Sequence, residues 1–309
     1  MAGESIVRGL FIGLSTYDVI QYVNGFPSCD GKTTSVTQSY AGGGPALNAA
    51  VVFAALGGKP TLVTCLGKGP ISHLIRQDLE QQGVMVIDAS LEGFNPPLSS
   101  IIVHLGTGQR QVISPDGTGA QDGKHLVLDD FDDQEFQIVH LDGHYPFLSR
   151  CLLPCFRDEK IRVVADAGRW KGHFVEILPY VSDLIASADF TIPTLESRLT
   201  DEAGWAYLNN SYGIEFVAQT AGGQPIRYWD VEQTREESVA VSLISPVCTI
   251  GAGDFFHGAY AYHLARYPRS SAVQHLTFAA KVAALKCVQT GTRNWLNSAE
   301  FQRLRKELL

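Results

Sequence analysis

The stretch Thr249-Ile250-Gly251-Ala252-Gly253-Asp254, followed by Phe255-Phe256-His257-Gly258-Ala259-Tyr260-Ala261-Tyr262-His263-Leu264-Ala265, decides how the chain is read. Gly251, Ala252 and Gly253 let the backbone turn tightly and expose its N–H groups. The apolar-periodic run behind them predicts a helix whose free N–H groups carry partial positive charge. Such a turn is an anion cradle. Asp254 would repel a phosphate lying directly on it, so it must face a different atom. The economical arrangement places a transferring phosphoryl group on Gly251 to Gly253 and lets Asp254 take the proton of the hydroxyl that attacks it. Gly-rich turns before helices are common, however, and an acidic residue at a helix start is often only a capping or dipole partner. The rest of the chain has to decide between the two.

Length and composition narrow the field. At 309 residues with 45% hydrophobic side chains, the chain can bury a large core around one α/β sheet. Its net charge is −8, from 24 Lys plus Arg against 32 Asp plus Glu. That balance, without a long basic run, argues against nucleic acid as a partner. No apolar stretch reaches the roughly 18 to 20 residues a membrane span needs. The first residues lack a basic region followed by a secretory core, so the expected location is the cytoplasm. Six cysteines (Cys29, Cys65, Cys151, Cys155, Cys248 and Cys287) lie mostly in apolar contexts and read as reduced core residues. No His or Cys cluster completes a zinc site, and no structural metal is expected.

Along the chain, apolar runs alternate with helical periodicity. Residues 6–13 form a buried first strand, and Asp18 follows it closely. A carboxylate at the carboxyl end of such a strand stands where open α/β sheets bind ligands and can hold two neighbouring sugar hydroxyls; a local turn residue is the competing reading. Val19, Gln21 and Val23, then Thr33, Ser35 and Thr37, predict two alternating strands across a turn-rich segment. A second pair fits 98–105 and 109–114. Gly42 to Gly44, with Pro45 in the first turn, feed a small-residue helix over 46–56. The spacing fails as a dinucleotide fingerprint because Leu47 occupies the third glycine position. Strands over 59–67, 135–142, 161–166 and 183–188 and a helix over 71–82 continue a doubly wound sheet. Residues 214–220 form another strand, and 225–231 return as an antiparallel edge strand. Arg169 and Lys171, after the strand ending at Asp166, read as solvated surface charge. A last long helix covers 272–289.

These features carry a resemblance. Thr249 to Asp254 resembles the C-terminal signature of the ribokinase, or phosphofructokinase-B-type, carbohydrate kinases, Asp-Thr-x-Gly-Ala-Gly-Asp, with Cys248 in place of the first Asp. Gly43-Gly44-Pro45-Ala46-Leu47-Asn48 matches the family's Gly-Gly-x-x-x-Asn segment. The resemblance covers nearly the whole sequence and implies a ribokinase-like, doubly wound, mostly parallel sheet in a single domain over 1–309, with β lid segments at 15–41 and 97–115. It implies an ATP-dependent kinase in which Asp254 is the general base and Gly251, Ala252 and Gly253 form the anion hole. The substrate would be a small sugar or polyol bound by Asp18, Gly42, Gly43, Gly44 and Asn48; counting from Gly42 and Gly43 puts Leu47 in the Asn place instead. Nucleotide contacts would come from Thr220, Gly222, Thr249 and Gly251, with Ala279, Ala283 and Gly291 flanking the adenine. A homodimer through the lid is implied as well. A lid suits this chemistry, because water would otherwise compete as acceptor.

The resemblance weakens at the magnesium motif. Many relatives have Asn-x-x-Glu, often just after a Pro, where this chain reads Pro193-Thr194-Leu195-Glu196-Ser197. Glu196 is the candidate that would organise Mg2+ through water, or the ion is held by phosphates and water alone. The segments 42–50, 253–259 and 282–287 look most like the sulfofructose-kinase branch, whose substrate-approaching Lys matches Lys32. Ser114 and His144 stand where that branch has its other sulfonate-binding Asn and Arg. Without a bidentate Arg, a neutral or weakly anionic sugar or polyol is expected. A nucleoside kinase shares all the catalytic parts. A binding or regulatory protein that has lost chemistry is the rival from outside the enzymes, favoured by Cys248 and the altered Asn-x-x-Glu.

Overall fold

Aliphatic and β-branched runs too short for helices, buried on both faces, build the centre of the molecule. The computed structural model describes residues 6–115, 122–131, 135–156, 161–193, 197–198, 202–231 and 235–308. The chain passes through β1 (Arg8–Ile12), β2 (Thr16–Val23), β3 (Thr37–Gly43), α1 (Pro45–Ala55), β4 (Lys59–Thr64), α2 (Pro70–Gln81), β5 (Met85–Asp88), β6 (Leu98–His104) and β7 (Arg110–Ile113). Then come β8 (Ile138–Leu141), α3 (Pro146–Leu152), β9 (Arg162–Ala167), α4 (Phe174–Ile177), β10 (Asp183–Ser187), the short pair β11 (Thr191–Ile192) and β12 (Ser197–Arg198), and α5 (Glu202–Tyr212). The last part holds β13 (Phe216–Ala221), β14 (Gln224–Asp230), β15 (Glu236–Val239), α6 (Ala252–Arg266), α7 (Ala272–Cys287) and α8 (Ala299–Leu308).

Nine strands form one sheet in the order β15-β14-β13-β10-β9-β8-β1-β4-β5. The seven from β13 to β5 are parallel to their neighbours, while β14 and β15 return antiparallel. Side chains that alternate across β1 divide between two cores. Phe11 belongs to the core that α1, α6 and α7 cover on one face, and Leu10 and Ile12 belong to the core that α3 and α5 cover on the other. Two cores on opposite faces are what a doubly wound sheet requires.

A second sheet of four strands, in the order β3-β2-β6-β7, stands apart from the first. Its middle pair, β2 and β6, is parallel, and both flanking pairs are antiparallel. Ile20, Tyr22, Ile101 and Val103 pack from it against Cys248 and Ile250, just ahead of α6. These strands are the two segments expected as a lid, with one boundary moved. β3 begins at Thr37 rather than Thr33, because Gly25 and Pro27 end β2 and its last pairing bond runs from Val36 N–H to Tyr22 O at 2.7 Å.

Other expectations shift too. The 225–231 strand is antiparallel but is not an edge, since β15 pairs outside it. Glu236 and Glu237 hid that strand from a reading based on apolar alternation; Tyr228 Oη donates to Glu237 Oε2 at 2.9 Å, and Arg227 bonds to Glu236. The C-terminal helix α8 likewise lay outside the reading, although Phe301 and Leu304 bury one face of it. All six cysteines are free; Cys29 is exposed rather than part of the core. Among the described residues, no helix is long and apolar enough to cross a membrane.

The two glycine signatures meet because α1 and α6 cross closely. Ala46, Ala49 and Ala50 present small side chains on α1, all fully buried. At Gly258 an added Cβ would collide with Ala49 O and Val52 Cγ1. Replacing Gly258 with Val should therefore push the helices apart and cost about 1–3 kcal/mol of stability, read as a lower denaturant midpoint at unchanged slope. A variant as stable as the wild type would show that the crossing does not depend on that close approach.

Candidate active site

Parallel sheets bind ligands where the strand order reverses, outside the carboxyl ends of the strands. Here that point is β1, which the chain leaves toward β4 and β5 on one side and later resumes at β8 on the other. Asp142 follows β8 and holds the crevice together. Its Oδ2 accepts from Leu14 N–H at 2.8 Å and from Ala46 N–H, in the first turn of α1, at 3.1 Å. Its Oδ1 accepts from His144 N–H at 2.9 Å. Burial alone would raise its pKa, but His144, Lys171 and the N–H donors outweigh burial and hold the carboxyl well below the usual carboxylate range. Lys171 is not a free surface charge: its Nζ donates to Asp142 O at 2.9 Å.

Asp18, on β2, is buried and accepts from Thr16 Oγ1 at 2.7 Å. Its carboxylate lies against Gly43, where any Cβ would collide with it, so Gly43 is needed for this approach. Burial raises the pKa of Asp18, opposed by Thr16, Ser99 and the charge of Arg293. Gly44 is the N-cap of α1 with φ of 97°, and a side chain there would meet Leu14 O. Gly42 is gripped from both sides. Its N–H donates to Asp78 Oδ2 at 3.0 Å, and its O accepts from Arg293 Nη2 at 2.7 Å. Lys32 is exposed on the loop between β2 and β3, with no polar partner among the described residues.

Asn48, rather than its neighbour Leu47, faces the crevice. Its Nδ2 donates to Asp254 Oδ2 at 2.8 Å, and its Oδ1 accepts from Arg293 Nη1 at 3.1 Å. Leu47 is fully buried in the core. Arg293 is fixed in turn by Asp78, with Nη2 and Oδ2 2.9 Å apart. Asp254 thus ends a chain of bonds running through Asn48 and Arg293 to Asp78. Its pKa is pushed up to about 7, first by burial and then by the charge of Asp166; Asn48 opposes the shift, while Asp18 and Asp142 add to it. Asp166, at the end of β9, lies 3.3 Å from His257 Nε2. Burial keeps His257 neutral by lowering its pKa, and burial together with His257 pushes His140 down to about 4.

The loop before α6 has the expected shape. Gly251 is its N-cap with φ of 71°, a left-handed conformation that favours glycine. Ala252 N–H closes a turn onto Thr249 O at 3.2 Å, so it is not free as an anion donor. The N–H groups of Gly251, Gly253 and Asp254 have no acceptor among the described residues. Beside the loop lies a cleft of about 470 Å³ lined by Thr220, Gly222, Thr249, Ala252, Gly253 and Ala283. Its helical wall is the face of α7 carrying Ala280, Ala283, Ala284 and Cys287. Ala279, one turn before Ala283, falls just outside that face and is fully buried in the core. Gly291 is also away from the cleft: it turns the chain after α7 with φ of 73° and donates its N–H to Tyr22 Oη on β2.

Arg110, on β7, reaches the same cleft and donates to Thr249 Oγ1 at 2.7 Å. Glu196 lies outside the described residues. Among the described residues, no group of three or more His, Cys, Asp or Glu side chains could hold a metal. Sequence reasoning missed Arg293, Asp78, Asp142 and Arg110. Each acts through a contact with a residue distant in the chain, and neighbouring sequence carries no signal for it.

Comparison with known proteins identifies the family and the fold. The pattern of the pfkB family carbohydrate kinases matches residues 9–299. Mouse (Mus musculus) ketohexokinase is 23% identical over 288 residues, covering 90% of this chain and 95% of that protein. The crystal structure of a putative ribokinase from Agrobacterium tumefaciens superposes with a TM-score of 0.83 at 22% identity, covering 98% of both chains. Arabidopsis thaliana ribokinase, solved in complex with ribose and ATP, superposes with a TM-score of 0.73 at 18% identity, covering 96% of this chain and all of that one. The chain has the ribokinase fold and belongs to the pfkB family of carbohydrate kinases, which makes it a phosphotransferase.

Proposed function

We propose that the protein transfers the γ-phosphoryl group of ATP to a hydroxyl of a small neutral sugar or polyol, with Asp254 as general base. The observation that carries this reading is the position of Asp254. A carboxylate with a raised pKa stands at the start of α6, beside the Gly251 and Gly253 N–H groups, which have no acceptor among the described residues, and Asn48 pins one of its oxygens. A base whose pKa lies near the working pH combines availability with driving force for proton transfer. Nucleotide would lie in the cleft beside Thr220, Gly222 and Ala283, its phosphates toward Gly251 and Gly253. Magnesium would enter on those phosphates, where the ion keeps most of its waters.

The acceptor would lie between Asp18 and Asp254. Asn48 spends one N–H on Asp254 and its oxygen on Arg293, which leaves one N–H for a substrate hydroxyl. The surroundings favour a neutral substrate. Asp18, Asp142 and Asp166 all act on Asp254 with their charge. Arg293 is tied to Asp78, His144 to Asp142, and Ser114 to Ser99 through a 3.1 Å hydroxyl bond. The outer face of the lid supports a second reading about assembly. β7 is an exposed edge strand whose Val112 and Ile113 are exposed, a surface suited to a second copy of the chain. If a dimer forms there, Ile113→Lys should convert it to monomer in sedimentation; an unchanged mass would remove the lid from the interface.

ATP consumption across neutral sugars, polyols, phosphorylated sugars and nucleosides tests the reaction class, and turnover confined to nucleosides would reassign the substrate. Asp254→Asn keeps shape but cannot accept a proton, so turnover should fall about 10²–10⁴-fold while ATP affinity holds or improves. A folded variant with near wild-type turnover would sink the role given to Asp254.

The raised pKa gives an independent check. Folded Asp254 holds its proton up to about 7, whereas the unfolded carboxyl releases it near 3.8. The folded state therefore binds more protons in between, and Asp254 subtracts stability progressively as pH rises through that window. Asp254→Asn should melt higher than wild type above pH 7, with the gap closing toward about pH 4. Wild-type turnover should rise with pH and level off above about 7. A melting gap that does not change with pH would show that Asp254 titrates normally.

A further inference from the structure

Lys286, in the last turn of α7, is 0% exposed. Its Nζ donates to Cys248 O at 2.7 Å and lies 3.4 Å from Cys248 Sγ. Among the described residues it forms no ion pair with any carboxylate; the carboxylate whose charge it feels, across a longer distance, is Asp254. Taking an ammonium out of water with only a carbonyl and a thiol beside it is expensive, and a neutral donor could hold the same carbonyl at far lower cost. A helix-end lysine that served only the helix dipole would keep its head in water. The cost calls for a use of the charge itself.

The surroundings say where that charge acts. Val247 N–H and Cys248 N–H donate to Cys287 O at 2.8 and 3.1 Å, while Lys286 reaches back to Cys248 O. Residues 247–248 and 286–287 are thus strapped together in both directions. The next residues, Thr249 to Gly253, are the loop in which the Gly251 and Gly253 N–H groups have no acceptor among the described residues, and Cys287 lines the same cleft as Thr249 and Gly253. The ammonium therefore sits immediately behind the loop, away from solvent that would screen it.

We propose that Lys286 is a positioning residue for phosphoryl transfer, fixing the Cys248 carbonyl and holding its ammonium behind the Thr249–Gly253 loop. Burial pushes the Lys286 pKa down, opposed by Cys248, Cys287 and Asp254, and an anion on the loop would favour the charged form, which then offsets the negative charge gathered there. Where the family pattern has a carboxylate at position 248, this chain has a thiol, which leaves the charge free to act on the loop. The proposal rests on the reading of the loop as the phosphate site.

Lys286→Met decides it, because Met fills the same space without the charge; it also leaves the Cys248 carbonyl without its donor, so the discriminating readout is phosphate-dependent binding rather than the melting temperature. The expected result is turnover reduced about ten- to a hundredfold, less than the loss of a direct oxyanion donor. ATP binding should weaken while adenosine binding, measured by calorimetry, stays the same. Turnover at the wild-type level in the folded variant, or equal loss of ATP and adenosine binding, would overturn the proposal. If the Met variant does not fold, Lys286→Ala in the presence of propylammonium or propanol separates charge from space filling. Recovery with the cation alone supports the proposal, and equal recovery or none with either compound overturns it. Loss of turnover in Asp254→Asn together with an unimpaired Lys286→Met would remove only this inference. An active Asp254→Asn would instead remove the reading of the loop.

Discussion

The site depends on one close approach, that of α6 to α1 at Gly258 and Ala49. The two signatures are about two hundred residues apart, each at the head of its own helix, and neither holds a complete site. Only with a hydrogen atom in place of a side chain at Gly258 can the helices draw together at Ala49 O. That contact lies one turn along α6 from Asp254 and one residue along α1 from Asn48, so it brings the amide to 2.8 Å from the carboxylate. Side chains held this way by two packed helices are fixed more firmly than side chains on loops.

The crevice also shows how the same buried chemistry is tuned in opposite directions. Asp142 is buried and Asp254 half-buried near the same crevice. Asp142 accepts three backbone N–H bonds and lies beside His144 and Lys171, so its charged form is favoured. Asp254 has one side-chain donor and three neighbouring carboxylates, so its neutral form is favoured. The first is suited to knitting β1, β8 and α1 together. The second is suited to exchanging a proton. Environments that push two acids apart are how one site separates structural from chemical duty.

Much of this was legible in the chain, for definite reasons. Gly251, Gly253 and Asp254 form a contiguous motif, and short-range backbone geometry is what a contiguous motif encodes. Buried parallel strands announce themselves as apolar runs, which is why β1, β4, β9 and β10 were found within a few residues of their true ends. β15 was not found, because Glu236 and Glu237 break the alternation while their partners come from β14. Arg293 and Asp78 were invisible for a deeper reason. Each is an ordinary charged residue in sequence, and its meaning lies in contacts with Asn48 and Gly42 more than thirty residues away. Ala279 and Ala283 illustrate the finer limit: four residues apart on one helix, they were assigned to one pocket, and only the orientation of α7 against the sheet tells them apart.

The lid connects the two halves of the site more directly than the sequence suggests. Tyr22, in the strand that carries Asp18, is buried, accepts from Gly291 N–H and donates toward Cys248 Sγ at 3.9 Å. Arg110, two strands across the same sheet, donates to Thr249 Oγ1. These three bonds land on the segments flanking the loop before α6: Cys248 and Thr249 ahead of it, and the turn after α7 beside it. A lid displacement wide enough to part β2 and β7 from the main sheet must break these bonds and release the start of the loop. Lid position and loop geometry are therefore one variable. If the loop is the phosphate site proposed above, seating the lid would exclude water and hold the start of that loop through the same bonds.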